Sequence, residues 1–278
     1  MNLGWFESLL LGLTTGLSEI LPVSAQAHSR ILTKFMGRGD MPALMNLCVH
    51  LGALAAIYFS CQPHILKMIR AKNMSRIPKK KRKRPLDTRS LMDLKLLTTM
   101  LLPIVLVLLV WRRVQALAEN MIIMATLLFL NGLILYIPQF LPSSNKDCRT
   151  LSRVEGRLMG LGGAMFAIPG LSGMGAALSV ASVTGVERKY GLNMILLMNM
   201  GILAGKAVYD LLDLFSAGMG QLTVMTVLFY LLSAAASFTG AFLAVKLLRT
   251  FAEGKGYGPF AYYSWGLALF TFVLTLMA

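Results

Sequence analysis

Six stretches of this chain are long and apolar enough to cross a bilayer, and that one feature excludes most folds. They lie near Ala43–Phe59, Leu96–Trp111, Met121–Leu141, Gly191–Tyr209, Gln221–Val245 and Pro259–Ala278. A helical span takes about 20 residues, so the first two need flanking residues to complete the crossing. Hydrocarbon offers backbone groups no water, which leaves helices and closed barrels as spanning structures. Uninterrupted apolar runs of this length argue for helices. Composition agrees: 14% of the 278 residues are charged, against about 25% in soluble domains. Only Met1 and Asn2 precede the first apolar run, so no basic leader and no cleavable signal peptide are expected. Cys48, Cys61 and Cys148 are scattered; they form no disulfide framework or metal spacing and read as packing residues.

Two further apolar stretches, Leu3–Leu32 and Leu158–Val186, are broken halfway. The first contains "SEILPVS" and the second "IPGLSGMG". Proline removes a backbone donor and clashes with the preceding turn. Irregular backbone at membrane depth survives only where protein or a wet cavity surrounds it. Both stretches therefore read as re-entrant helix–loop–helix hairpins that enter and leave on one face.

Charge fixes the orientation. Twelve of the 27 lysines and arginines lie between Lys67 and Lys95, including "KKKRKRP". In a soluble chain such a run reads as a nucleic-acid patch; among membrane spans it reads as a cytoplasmic loop, 62–95, held near anionic headgroups. Lys146–Arg157, Arg188–Lys189 and Lys246–Lys255 then also fall inside. The Asp210–Gly220 loop and both termini fall outside. Arg30, Lys34 and Arg38 run against this tendency. The expected fold is all-α and membrane-integral: six spans plus two re-entrant hairpins in one domain, as inverted repeats over 1–141 and 158–278. That architecture places a site where the two hairpin tips meet.

Ionisable groups in membrane segments are costly and face cavities or partners. Glu19 and His28 are the leading candidates: a base or metal ligand, and a proton carrier or phosphate partner. Ser24 between them is a donor, a weak nucleophile or a helix cap. Gly170, Ser172, Gly173 and Gly175 bring bare backbone near a helix start, which suits an anion; they also suit close helix packing. Asn46 and His50 share a helix face as cavity lining or core bonding. Lys206 and Asp210, four apart, read as an interfacial ion pair. Tyr262, Tyr263 and Trp265 read as an aromatic belt, and the 19 methionines as apolar filling.

"GLSEILPVSAQAH" resembles the signature EGLTEFLPVSSTGH of the undecaprenyl-pyrophosphate phosphatase (bacitracin-resistance) family. "IPGLSGMGAALS" resembles that family's PGTSRSGATIS, and "PFAYYSWGLALF" its FAYYRIALGL. The likeness runs through nearly the whole chain in order. It implies an enzyme of the bacterial cytoplasmic membrane that removes phosphate from a pyrophosphorylated C55 lipid on the outer face, regenerating the carrier for peptidoglycan. It also implies a divalent cation, Mg²⁺ or Ca²⁺, on Glu19, with Glu19, Ser24 and His28 as catalytic residues and Thr15 among the substrate-binding positions. This sequence departs from the pattern at charged positions. The first glutamate falls on Thr15, the second serine on Ala25, and the arginine and serine after Ser172 on Gly173 and Met174. A glutamine falls on Gly163 and the third-motif arginine on Ser264.

Arginine grips phosphate through paired donors, and each lost transition-state donor costs about 10²–10³ in rate. Two readings follow. The favoured one is a protein that binds and moves or recycles a polyprenyl phosphate or pyrophosphate carrier, with hydrolysis doubtful. The alternative is an active undecaprenyl-diphosphate phosphatase. A non-lipid transporter or a structural subunit stands behind both.

Overall fold

The computed structural model describes residues 4–82, 84–115, 120–141, 145–217, 223–254 and 256–276. Leu3, Lys83, Gly220, Gln221, Lys255 and Ala278, which bound or belong to segments named above, lie outside the described residues.

The first broken stretch folds as two helices, α1 (Trp5–Ile20) and α2 (Ala25–Phe35). Pro22 disfavours helical backbone at the residue before it, and α1 stops there; Leu21 is extended. Ser24 restarts the chain as the N-cap of α2, its hydroxyl accepting from the Ala27 N–H. Three helices follow: α3 (Ala43–Ser75), α4 (Thr88–Gln115) and α5 (Met121–Tyr136).

The second hairpin opens with α6 (Arg153–Ala164). Here Ser152 and Glu155 form a reciprocal cap, and the Lys146 ammonium with those cap donors holds the Glu155 carboxyl at about 2. A 3₁₀ turn at Met165–Ala167 leads through Pro169 to Gly170, whose φ of 94° favours glycine. Ser172 then caps α7 (Gly173–Val183) by accepting from the Gly175 N–H. The chain ends with α8 (Arg188–Ala217), α9 (Val224–Glu253) and α10 (Pro259–Leu276). Among the described residues six helices are long and apolar enough to span, and they carry the six predicted segments. The chain is an all-helical, multi-pass membrane protein.

Two boundaries differ instructively from expectation. The predicted span Ala43–Phe59 is the first part of a 33-residue helix, which at 1.5 Å per residue is about 50 Å long. Helix formers such as Lys67, Met68, Arg70 and Lys72 carry it beyond any bilayer, so the basic "loop" is helix up to Ser75 and again from Thr88, where α4 begins. Likewise α8 extends to Ala217 and absorbs most of the predicted Asp210–Gly220 loop.

Each hairpin is tied shut at its base. Arg38, just after α2, makes a two-pronged ion pair with Glu7 at the start of α1, at 3.0 and 3.3 Å. The charge that runs against the expected orientation is thereby matched with a carboxylate. In the second hairpin, Lys146 accepts from the Glu187 N–H at 3.0 Å and donates to the Gly185 carbonyl at 3.2 Å. Residues before α6 and after α7 thus lie side by side, and each hairpin returns to the face it left. The two bases are at opposite ends of the bundle. Arg38 leads into the start of α3, whereas Asp147 pairs with Arg89 at the start of α4.

Helix contacts repeat in pairs. α1 packs on α9 as α6 packs on α4, and α3 on α9 as α8 on α4; α3 meets α8, and α5 meets α10. Exchanging the first five helices with the last five leaves these pairings unchanged.

Candidate functional site

The hairpin tips meet in the middle of the bundle, and small polar groups join them. The Gly170 N–H donates to Ser24 Oγ at 3.2 Å, and Gln26 Nε2 donates to the Phe166 carbonyl at 3.2 Å. Asn131, fully buried on α5, binds both tips at once. Its amide nitrogen donates to the Pro22 carbonyl at 3.4 Å and to Ser264 Oγ at 3.0 Å, while its oxygen accepts from the Ser172 N–H at 2.9 Å. The Pro22 carbonyl and the Gly170 and Ser172 N–H groups at the two breaks thereby gain side-chain partners, as membrane depth requires.

Below this junction lies a chain of four buried ionisable side chains. Lys206 Nζ donates to Glu19 Oε1 at 2.6 Å. The same oxygen stands 3.5 Å from His50 Nε2, and His50 Nδ1 is 2.6 Å from Asp210 Oδ2. A carboxylate only accepts, so Nδ1 carries the proton toward Asp210, leaving Nε2 toward Glu19. Asn199 Nδ2 donates to the Glu19 carbonyl at 2.9 Å and fixes the end of α1. The Lys206 ammonium also lies 5.5 Å from the centre of the Phe166 ring. Basic and acidic groups alternate along it and the contacts are close, the condition under which buried ionisable groups persist.

The expected Lys206–Asp210 pair is not what forms. Both belong to α8, but each turns to another element: Lys206 to α1 and Asp210 to α3. The helix spacing was right and the partners were wrong.

A cavity of about 360 Å³ opens over these groups, lined by Thr15, Glu19, Asn46, His50, Lys206 and Asp210, with Arg30, Asp40 and Asp213 also in its wall. A smaller one of about 20 Å³ continues toward the hairpin tips, between Glu19, Lys206, Ser172, Gly173 and Asn199. The sequence-predicted site residues therefore divide. Glu19 and Thr15 line the large cavity, and Ser172 and Gly173 the small one. Gly170 and Ser24 form the tip junction. Gly175 packs beneath it, where a Cβ would lie 3.2 Å from the Pro22 carbonyl. His28 lines neither cavity: its Nδ1 is 2.7 Å from the Ser24 carbonyl and its Nε2 2.6 Å from the Tyr263 hydroxyl, with the two rings stacked. Asn131, Asn199 and the Glu19–Lys206 pairing were not foreseen. Polar residues inside apolar runs are the signal that marks them.

A divalent cation takes oxygen ligands, with one or two carboxylates as anchors and waters and substrate phosphates completing the shell of Mg²⁺. The two carboxylates at the centre of the cavity are already engaged by nitrogen donors. Glu19 Oε1 faces Lys206 and His50, and Asp210 Oδ2 faces His50. Among the described residues no group of three or more His, Cys, Asp or Glu is placed to hold a metal ion. The residues present do not fit the implied ion.

Fold and site together define a multi-pass membrane protein whose two re-entrant tips roof a charged, buried cavity. The family model described as Bacitracin resistance protein BacA matches residues 8–270, and the chain belongs to that family. Among its relatives are proteins named undecaprenyl-diphosphatase from Methanobrevibacter smithii, 27% identical with 96% of each chain covered, and from a Nocardioides species, 28% identical over 97% of this chain and 96% of the relative. A Streptomyces avermitilis protein named undecaprenyl-diphosphatase 2 is 27% identical over 98% and 96%. These names favour the hydrolytic alternative over carrier binding without cleavage.

Proposed function

We propose that the chain is a polyprenyl-diphosphate phosphatase of the cytoplasmic membrane that releases phosphate to regenerate a lipid monophosphate for envelope synthesis. The observation that carries this reading is the buried Lys206 ammonium 2.6 Å from Glu19. It supplies, from α8, a fixed cation in a site whose family arginine positions hold Gly173 and Ser264. Glu19 orients or deprotonates the attacking water. Lys206 meets the charge that develops on the phosphoryl oxygens. His50, its tautomer set by Asp210, carries a proton at Nε2 to or from the reacting oxygens. Thr15, Ser172 and Gly173 shape the walls around the diphosphate, and the lipid tail leaves between helices into the bilayer. Ser24 and His28 act on structure: Ser24 joins the tips, and His28 ties α2 to α10 through Tyr263.

The cavity faces the outer surface and the basic segment 62–95 the cytoplasm, near anionic headgroups. Purified protein given C55 diphosphate in detergent is expected to release phosphate. Glu19→Gln is expected to abolish release, and Lys206→Ala to lower it by about 10²–10³, the cost of one preorganised charge. Saturable lipid binding without release by the wild type would instead establish the carrier reading, which the losses at Thr15 and Gly173 favour.

A further inference from the structure

We infer that Lys206 stands in for the divalent cation, so that phosphate binding and release in this protein run without a metal ion. This rests on the hydrolytic reading above and deepens it. Three observations carry it. First, the carboxylate that a metal would have to use, Glu19, is buried and its Oε1 is bound by the Lys206 ammonium at 2.6 Å. A dication placed on that carboxylate would sit beside a buried ammonium, and two like charges sharing one small counter-charge repel strongly where water is scarce.

Second, the other carboxylate of the four-residue buried cluster, Asp210, is committed to His50 at 2.6 Å. Among the described residues no three-donor metal group exists. Third, Lys206 has capacity left for a ligand. An ammonium carries three donors, and Glu19 is its one hydrogen-bond acceptor among the described residues. Its side chain lines both cavities, so the spare donors serve phosphate oxygens arriving from either. A point-charge lysine grips phosphate without the fixed fork of arginine, and it needs no carboxylate cage of its own.

The step balances without a cofactor. Water attacks the terminal phosphorus, the bond from that phosphorus to the bridging oxygen breaks, and lipid monophosphate and inorganic phosphate leave. The water proton passes to Glu19 or His50.

The test is phosphate release from C55 diphosphate by the metal-stripped wild type in EDTA and again in Mg²⁺, with Mn²⁺ binding followed by electron paramagnetic resonance. The expected results are equal rates in both buffers and an Mn²⁺ spectrum that remains that of the free ion. Lys206→Met is expected to lose release by about 10²–10³ in both buffers, the size of one preorganised charge. Lys206→Arg, which keeps the charge should the methionine variant fail to fold, is expected to retain release in EDTA. A fall of about 10²–10³ on chelation, the size of a lost transition-state charge, overturns the inference and leaves the phosphatase reading intact. No release in either buffer overturns the phosphatase reading. Mn²⁺ titration then decides the site by itself, and one Mn²⁺ bound per wild-type chain sinks the proposal.

Discussion

Lys206 shows how a single buried charge divides its work between stability and chemistry. Its removal leaves the buried Glu19 carboxylate with only the longer contact to His50 at 3.5 Å, and breaking a buried pair from one side costs about 3–5 kcal/mol. Lys206→Ala is therefore expected to unfold at markedly lower temperature in detergent. Removing both charges, as Glu19→Gln with Lys206→Met, takes that carboxylate away as well, and replacing a whole buried pair is often neutral or stabilising. The double variant is expected to recover most of the lost stability and none of the phosphate release. Recovery of release with stability would remove the pair from the chemistry. The sequence made Lys206 legible as an ion within an apolar run, but not its partner. Glu19 is 187 positions away and His50 is 160 from Asp210, whereas the four-residue spacing of Lys206 and Asp210 pointed along one helix. Fold contacts overrode the local pairing because each acceptor met a donor on a facing helix.

The elements are held by close backbone approach rather than by apolar burial, since lipid is as apolar as leucine. α1 lays Gly12 and Gly16 on the Ser233 and Ser237 backbone of α9, and α6 lays Gly160 on the Met100 carbonyl of α4. A Cβ at any of these glycines would overlap main-chain atoms, which cannot rotate aside. Gly16→Val is expected to cost about 1–3 kcal/mol by overpacking and to impair the site, because α1 carries Glu19. Gly266 on α10 has nothing within 4 Å of a Cβ, so Gly266→Ala is expected to be neutral or to stabilise by about 0.5–1 kcal/mol. Thermal unfolding of the two variants in one detergent separates contact from helix propensity, and equal effects would refute the packing account. The hairpins were legible because Pro22 and Pro169 interrupt otherwise span-like runs. The true lengths of α3 and α8 were not, because hydropathy marks where a helix leaves hydrocarbon and not where it ends.

On the scale of the whole molecule, the exchange of α1–α5 with α6–α10 leads us to read 1–141 and 158–278 as inverted repeats, which puts the two hairpin bases on opposite membrane faces. α3 fixes which face holds the cavity. Asn46 lines the cavity near one end of that helix, and Met68, 22 residues on, lies about 33 Å away at 1.5 Å per residue. That is the thickness of a hydrocarbon core, so the cavity opens opposite the basic segment 67–95. Lysine and arginine excess keeps such a segment cytoplasmic, and Arg38, the clearest exception, is paired with Glu7. A single cysteine at exposed Gly39, in a background lacking Cys48, Cys61 and Cys148, is expected to react with a membrane-impermeant maleimide added to intact cells. One at exposed Arg84 is expected to react only after the membrane is opened. Inverted labelling would put the cavity inside and make the substrate a lipid headgroup on the cytoplasmic leaflet. Labelling of both from one side would break the inverted repeat itself, because the two positions lie at opposite ends of a single helix.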